Sequence, residues 1–547
     1  MKTFSFIFCA ILLFSACNPG VSDVKQAEDQ IQADDLAAAI KILSSDEFQG
    51  RSPATPGEEK TIHYLADQFK TIGLKPGNGN SYFQEVPLIA ITAIRPGKLM
   101  IKGKDFWMNL DYQKDFMAVT ERPVEAVSLE NSPLVFVGYG IVAPEYNWND
   151  YAGIDVKGKT VVVLINDPGF ATGDSSLFEG KAMTYYGRWT YKYEEAARQG
   201  ASGVLIVHET KPASYPWSVV VNSWSGRQFM LPPEEDTVEP CKIEAWITDS
   251  VAGDLFKNAG LNLSVLKKQA CEPGFKPVGL HADASFTLTN AVKKLISHNV
   301  IGIIPGSEKP GEYIIYTAHW DHLGRDTTLA GDQIYNGALD NASGCAGLLE
   351  IAKAFESLGD KLKRSIVILS VTGEEQGLLG SEYYAAHSVF PANKTVAEIN
   401  MDGLNIFGKM TDITVIGLGR SELDKYVIEA AKAQGRTVSP DPEPEKGSYF
   451  RSDHFSFAKH GIPSLYIDMG ADNVEHGRQW TLDQVDQYIT QNYHRPSDEF
   501  DPDWNLSGAV EDLRLMFDVG YELSNTDTFP NWIEGSMYKP IRDAMME

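Results

Sequence analysis

His319 and Asp321 stand one residue apart in "TAHWDHLG", His322 follows at once, and all three come just after the apolar run Tyr313 to Tyr316. Further along lie Asp340 in "GALDNASG", the doublet Glu374 and Glu375 in "TGEEQGLLGSEYY", Asp402 in "INMDG" and His494 in "YHRPSDEF". Imidazole nitrogens and carboxylate oxygens in this mixture suit zinc, and a carboxylate can bridge two ions. Two such ions polarise a carbonyl and acidify a shared water. A carboxylate that is not a ligand must then take the proton, and neighbours on a tight turn can divide those duties. The Glu374 and Glu375 doublet meets that need. Asp321 can accept the free N–H of the His319 imidazole and hold its tautomer.

Positioning these groups calls for strands that end together. "YIIYTAHWD", "SIVILSVTGEE" and "VAEINMD" are apolar runs that each deliver a donor at their carboxyl end, and "GIPSLYIDMG" precedes the loop that reaches His494. Strands alternating with helices from about residue 286 predict an α/β fold with a mainly parallel central sheet covered on both faces. Side chains at the carboxyl ends of such strands meet in the ligand crevice. Near the start, "LAAAIKILSSDEFQGR" and "GEEKTIHYLADQFKTIGLKPG" read as helices, the second stopped by Gly73. Short β-rich runs then intervene, so the larger unit is expected over 35–125 and 286–547, interrupted by a β-rich insert at 126–285.

Taken in order and spacing, these motifs resemble those of the M28 metallopeptidases, zinc aminopeptidases with co-catalytic metals, and "LSSDEFQGRSPATPGEEKT" extends the likeness to the start of the larger unit. The insert, with "VFVGYGIVAPEYNWNDYAGIDVKGK" and "AARQGASGVLIVH", looks like the protease-associated domain of many members. The resemblance implies a zinc-peptidase fold and two zinc ions, other divalent metals being alternatives. It implies Asp340 as the bridging ligand, with His319 and Asp402 completing one site and Glu375 and His494 the other. Glu374 would be the general base and Asp321 the orienting residue. His322, Asp453 and His454 are candidates for the pocket, with a loop hydrogen bond favoured for His322. His208, His281, His298, His387, His460 and His476 read as ordinary surface or core histidines.

The expected activity is release of N-terminal residues from peptides. An acidic cleft suits a protonated amine, whereas a carboxypeptidase needs arginine or lysine to grip a carboxylate. Arg325, Arg451 and Arg495 keep a carboxypeptidase or dipeptidase open as alternatives, beside a glutaminyl cyclase-like enzyme and a non-catalytic peptide binder.

The remaining sequence bounds the setting. At 547 residues more than one domain is expected, and a net charge of -26 argues against a nucleic-acid partner. Lys2, the apolar stretch Phe4 to Phe14 and the small residues before Cys17 predict an export signal with lipidation of Cys17. A tether over 18–34 would follow, leaving a membrane-anchored protein in the envelope of a bacterial cell, with plain secretion as the alternative. Export permits a disulfide, for which Cys241 and Cys271 form the plausible pair, while Cys345 in "NASGCAGLL" reads as a packing residue.

Overall fold

A computed structural model describes residues 19–234 and 238–547. The expected signal at 1–17, with Cys17, lies outside the described residues. No helix among them is long and apolar enough to cross a membrane.

Four apolar runs become the centre of the larger sheet. Arg364–Val371, Lys309–His319, Thr395–Asn400 and Ser464–Asp468 lie side by side and parallel in that order. Every residue of Arg364–Val371 and of Thr395–Asn400 is buried, as strands covered on both faces require. Alternation sorts their side chains between two cores: Ile366 and Ile368 join Ile314 and Tyr316 on one face, while Val367 and Leu369 join Ile315 on the other. Helices Ala33–Leu43, Pro56–Ile72, Ser343–Leu358 and Ser507–Asn525 cover the first face, and Leu379–Ala386 and His454–Lys459 the second. Gly73 ends Pro56–Ile72 in the left-handed region at φ 116°, as its position predicts. Antiparallel strands flank the centre. Val278–Ile304 and Phe83–Ala93 add beside Arg364–Val371, and Asp412–Ile416 adds beside Ser464–Asp468. The mostly parallel sheet flanked by helices is the expected fold class.

A second sheet carries the insert. Its middle strands Ala126–Phe136, Thr160–Leu164, Gly203–His208 and Ile243–Thr248 run parallel over separate hydrophobic cores. Its limits differ from those expected. Leu99–Gly103, Trp107–Leu110 and Phe116–Val119 pair within this sheet although they precede residue 126. The 27-residue strand Val278–Ile304 belongs to both sheets, pairing with Ala126–Phe136 through its first half and with Phe83–Ala93 through its second. One strand bending from sheet to sheet leaves no boundary in composition to read.

Two further expectations are corrected. Within 18–34, Pro19–Glu28 is helical, and Ala27 and Ile31 are buried in the main core, so this stretch docks on the fold. Cys241 and Cys271 are free thiols: Cys241 Sγ donates to the Ala201 carbonyl at 3.4 Å and Cys271 Sγ to that of Lys267 at 3.4 Å. Cys345 is buried in the main core.

Candidate metal centre

His319 is the last residue of Lys309–His319, Glu374 and Glu375 follow Arg364–Val371, and Asp402 follows Thr395–Asn400. Parallel neighbours therefore deliver their donors to one sheet end. Asp340 arrives from the turn ahead of Ser343–Leu358, where the Asp340–Asn341 peptide is cis. His494 arrives beyond helix Gly477–Gln491 with φ at 56°.

These groups converge. His319 Nε2 lies 3.2 Å from Asp402 Oδ1, 3.4 Å from Asp340 Oδ1 and 3.9 Å from Glu374 Oε2. His494 Nε2 lies 3.3 Å from Asp340 Oδ2 and 3.0 Å from Glu375 Oε2. Asp340 thus presents one oxygen to each imidazole. The His319, Asp340 and Asp402 donor atoms lie within 4.8 Å of one another, as do those of His322, Asp340 and Glu375.

His322 departs from the expected loop role: its Nδ1 sits on Glu375 Oε1, opposite His494, and its Nε2 is buried without a hydrogen bond. Asp321 departs in detail. Its backbone carbonyl, 3.2 Å away, is the closer partner of His319 Nδ1, and its carboxylate stands at 3.8 Å while accepting the Glu374 N–H at 3.1 Å. Asp453 is fully buried, and burial first, opposed by His319, pushes its carboxyl to about 7. His454 packs against Tyr466, whose hydroxyl donates to the Asp402 carbonyl at 3.2 Å. It is fully buried, with ring centroids of Tyr449 and Tyr466 at 4.9 and 5.1 Å. Among the three arginines considered, Arg325 and Arg495 are exposed, while Arg451 is half-buried.

Several supports were not singled out from sequence. Ser452 Oγ donates to Asp402 Oδ2 at 2.6 Å and accepts from Asn400 Nδ2 at 2.6 Å. Asp498 receives the N–H groups of Leu339 and Asp340 on separate oxygens, each at 3.1 Å. Arg51 binds the carbonyls of Trp320 and Gly337, both at 2.8 Å, and so ties the two ligand-bearing loops to the N-terminal segment. Asp498 and Arg51 lie in the quoted runs "YHRPSDEF" and "SSDEFQGR", but nothing local distinguishes them from other polar residues there. From the insert, Ser223 Oγ reaches His494 Nδ1 at 3.3 Å. The aromatics near it mostly pack: Trp224 meets Trp189, Tyr193 and Trp246, and Trp217 Nε1 donates to the Gln113 carbonyl at 2.8 Å.

The charge distribution fits cations. Among the described residues no lysine or arginine pairs with Asp340, Glu374, Glu375 or Asp402; their ionic partners are histidines. Burial raises Glu374 well above the ordinary carboxyl range, with His319 opposing and Asp402 adding. Burial also opposes ionisation of Glu375, yet His494 and His322 hold it at about 2. Burial would lower His494, but Glu375 and Asp340 carry it to about 10. Carboxylates crowded at these distances demand positive charge, which protons on the imidazoles or divalent ions can supply. The buried donors and the unpartnered His322 nitrogen fit resident cations.

Residues 299–517 match the model of peptidase family M28. Aminopeptidase NAALADL1 of Mus musculus is 34% identical over 168 residues, covering 29% of this chain and 20% of its own. A probable glutamate carboxypeptidase of Arthroderma benhamiae is 30% identical over 253 residues, covering 42% of this chain and 31% of its own. The matches thus span between a fifth and a third of these curated relatives. Among solved structures, an aminopeptidase from Aneurinibacillus sp. strain AM-1 superposes with a TM-score of 0.55 at 20% identity, over 92% of this chain and 97% of that one, a likeness of fold. The match to peptidase family M28 lies in the segment 299–517, which carries every donor of the cluster, and the chain is similar to that family there.

Proposed function

We propose that the protein is a metallo-aminopeptidase with two zinc ions at this cluster. His319, Asp340 and Asp402 would hold one ion, and Asp340, Glu375 and His494 the other. His494 is preferred to His322 as the second imidazole because it faces both Asp340 and Glu375, at 3.3 and 3.0 Å. His322 then orients Glu375 from its other oxygen. When bound, the ions supply Lewis acidity to a substrate carbonyl and acidify a water.

The chain's own groups do the rest. Among the described residues Glu374 has no lysine or arginine partner, and it lies 3.9 Å from His319, so its carboxylate is free to take a proton from water and return it to the leaving amine. Its backbone is held by Asp321, which keeps the doublet from turning. The surplus carboxylate charge suits a protonated substrate amine, so the residue removed is the N-terminal one.

The convergence of His319, Asp340, Asp402, Glu375 and His494 on one sheet end is the observation that carries this reading. Aminoacyl p-nitroanilides incubated with and without a chelator test it. Chelator-sensitive hydrolysis restored by zinc is expected, and no cleavage of any N-terminal residue would leave a binding protein instead. We further propose export and lipid anchoring through Cys17. A Cys17→Ala chain that stays in the membrane fraction of its producing cell would contradict the anchor.

A further inference from the structure

The stretch that follows Cys17 docks on the fold from its first described turn, and the order of its contacts gives it a direction. Helix Pro19–Glu28 opens beside the corner Gly359–Lys361, where Asp23 Oδ2 meets Lys361 Nζ at 2.6 Å. Ala27 and Ile31 then enter the main core, and Arg514 binds the carbonyls of Glu28 and Ile31 at 3.1 and 3.2 Å. The Gln32 N–H donates to Glu350 Oε2 at 3.0 Å, and Asp35 Oδ2 pairs with Lys353 Nζ at 3.0 Å. Last, Arg51 Nη1 donates to the Leu43 carbonyl at 2.9 Å, while its other nitrogens hold the Trp320 and Gly337 carbonyls beside the donor cluster. The N-terminal segment thus climbs helix Ser343–Leu358 backwards, from the corner at its far end toward the turn that carries Asp340.

The corner Gly359–Lys361 leads into the amino end of Arg364–Val371, whereas Glu374 and Glu375 follow its carboxyl end. Helix Ser343–Leu358 has 16 residues, so it puts about 24 Å between the Asp340 turn and that corner. Only Asn18 separates Cys17 from Pro19, and covalent reach alone keeps Cys17 within about 7 Å of the start of the docked helix. An attachment at Cys17 therefore holds the fold by the sheet end opposite the donor cluster. Charges at that end are matched: Lys309 Nζ pairs with Asp527 at 2.6 Å and Arg364 Nε with Glu312 at 2.6 Å, beside the Lys361 and Asp23 pair. In a chain of net charge -26 this matching limits repulsion by anionic head groups.

On the reading of Cys17 as the lipid anchor, we infer that the amino end of the main sheet, with helix Pro19–Glu28 and the corner Gly359–Lys361, rests on the phospholipid surface, and that the metal centre faces away from it. A lipid fixed beside a docked helix leaves the folded unit little freedom to turn, whereas a long polar tether would let it tumble. The centre then stands about one helix length above the bilayer. On the peptidase reading, it takes peptides dissolved in the aqueous phase.

Lipids carrying a nitroxide on the head group test this with the full-length protein, extracted with its own lipid and placed in phosphatidylethanolamine and phosphatidylglycerol vesicles. One fluorophore is carried on Asp360→Cys at the corner or on Ala330→Cys in the loop between His322 and Asp340, both exposed positions. A Cys271→Ser background leaves Cys241 and Cys345, both buried, as the other thiols. Loss of most of the emission from Asp360→Cys, with none from Ala330→Cys, is expected. A Gly/Ser insert of about 20 residues ahead of Pro19, with an r.m.s. reach of about 25 Å, should relieve that quenching while the lipid stays attached. Equal quenching at the two positions, or stronger quenching at Ala330→Cys, would overturn the orientation while an acylated N-terminal peptide in the mass spectrum upholds the anchor. An unacylated Cys17 in a protein that does not float with the vesicles would defeat the anchor reading, and the orientation with it. Alanine p-nitroanilide should be cleaved with the same kcat/KM on vesicles and in detergent, and a marked fall on vesicles would set the centre against the bilayer instead. If no substrate is cleaved the peptidase reading fails, and the two fluorophores still decide the orientation.

Discussion

Glu374 and Glu375 are adjacent in sequence and opposite in condition. His494 and His322 hold Glu375 ionised, whereas burial raises Glu374. That separation predicts their division of labour. Glu374→Gln should retain zinc while kcat falls by about 10²- to 10⁴-fold, checked by elemental analysis beside steady-state rates; loss of metal would assign Glu374 to binding. The two imidazoles on Glu375 differ as well. His494→Ala is expected to empty one of two sites, whereas His322→Ala should keep both ions with affinity weakened by about 10- to 100-fold, measured by competition with a chromogenic chelator. The reverse result would exchange their roles.

Behind the centre, burial holds His454 down to about 3, against about 6.5 in an unfolded chain. Between those values the unfolded chain binds the extra proton, so stability rises with pH across the window and is lost on acidification, by up to about 1.4 kcal/mol per unit. His454→Phe should flatten that dependence in urea midpoints measured from about pH 7 down to about pH 4.5. An unchanged slope would locate the acid sensitivity elsewhere.

At the scale of elements, the turn before Ser343–Leu358 determines where Asp340 points. Asn341 closes it: its Nδ2 donates to the Met401 carbonyl at 3.0 Å, and its Oδ1 accepts from Gly344 at 2.9 Å and from Gly403 at 3.1 Å. The turn carrying Asp340 and the loop carrying Asp402 are thereby joined through one amide. Gly344 is small for this reason, since a Cβ there would fall 2.3 Å from Asn341 Oδ1 and 2.8 Å from the Met401 carbonyl. Gly344→Ala should cost about 1 to 3 kcal/mol and weaken zinc retention, read from the melting temperature and from metal content after dialysis. Unaltered metal content would mean that the turn does not govern the cluster.

Across the whole molecule, the insert reaches the centre through Ser223 on His494 and packs on the larger unit through the ring of Tyr185 against Phe450 and Phe455. None of the three described cysteines of the chain is bonded, so a reducing agent should leave the melting temperature unchanged; a fall would reveal a disulfide in the folded protein.

The donor types and their places at the ends of apolar runs were legible in the sequence. A parallel sheet must bury such runs on both faces and must bring their carboxyl ends together. Helices with clear apolar periodicity, such as Pro56–Ile72, were legible for the same reason. Other features depend on contacts between residues far apart in the chain. Which imidazole faces which oxygen of Glu375, which part of Asp321 serves His319, and how Val278–Ile304 divides between two sheets are decided by packing. Arg188 shows this most plainly. In "YYGRW" it is an unremarkable arginine, and only the folded structure buries it and leaves its Nε without a partner. Local sequence thus determined which groups could bind metal and move protons, because chemistry resides in residue type. The tertiary structure decided their partners, because burial and distance arise only when remote segments meet.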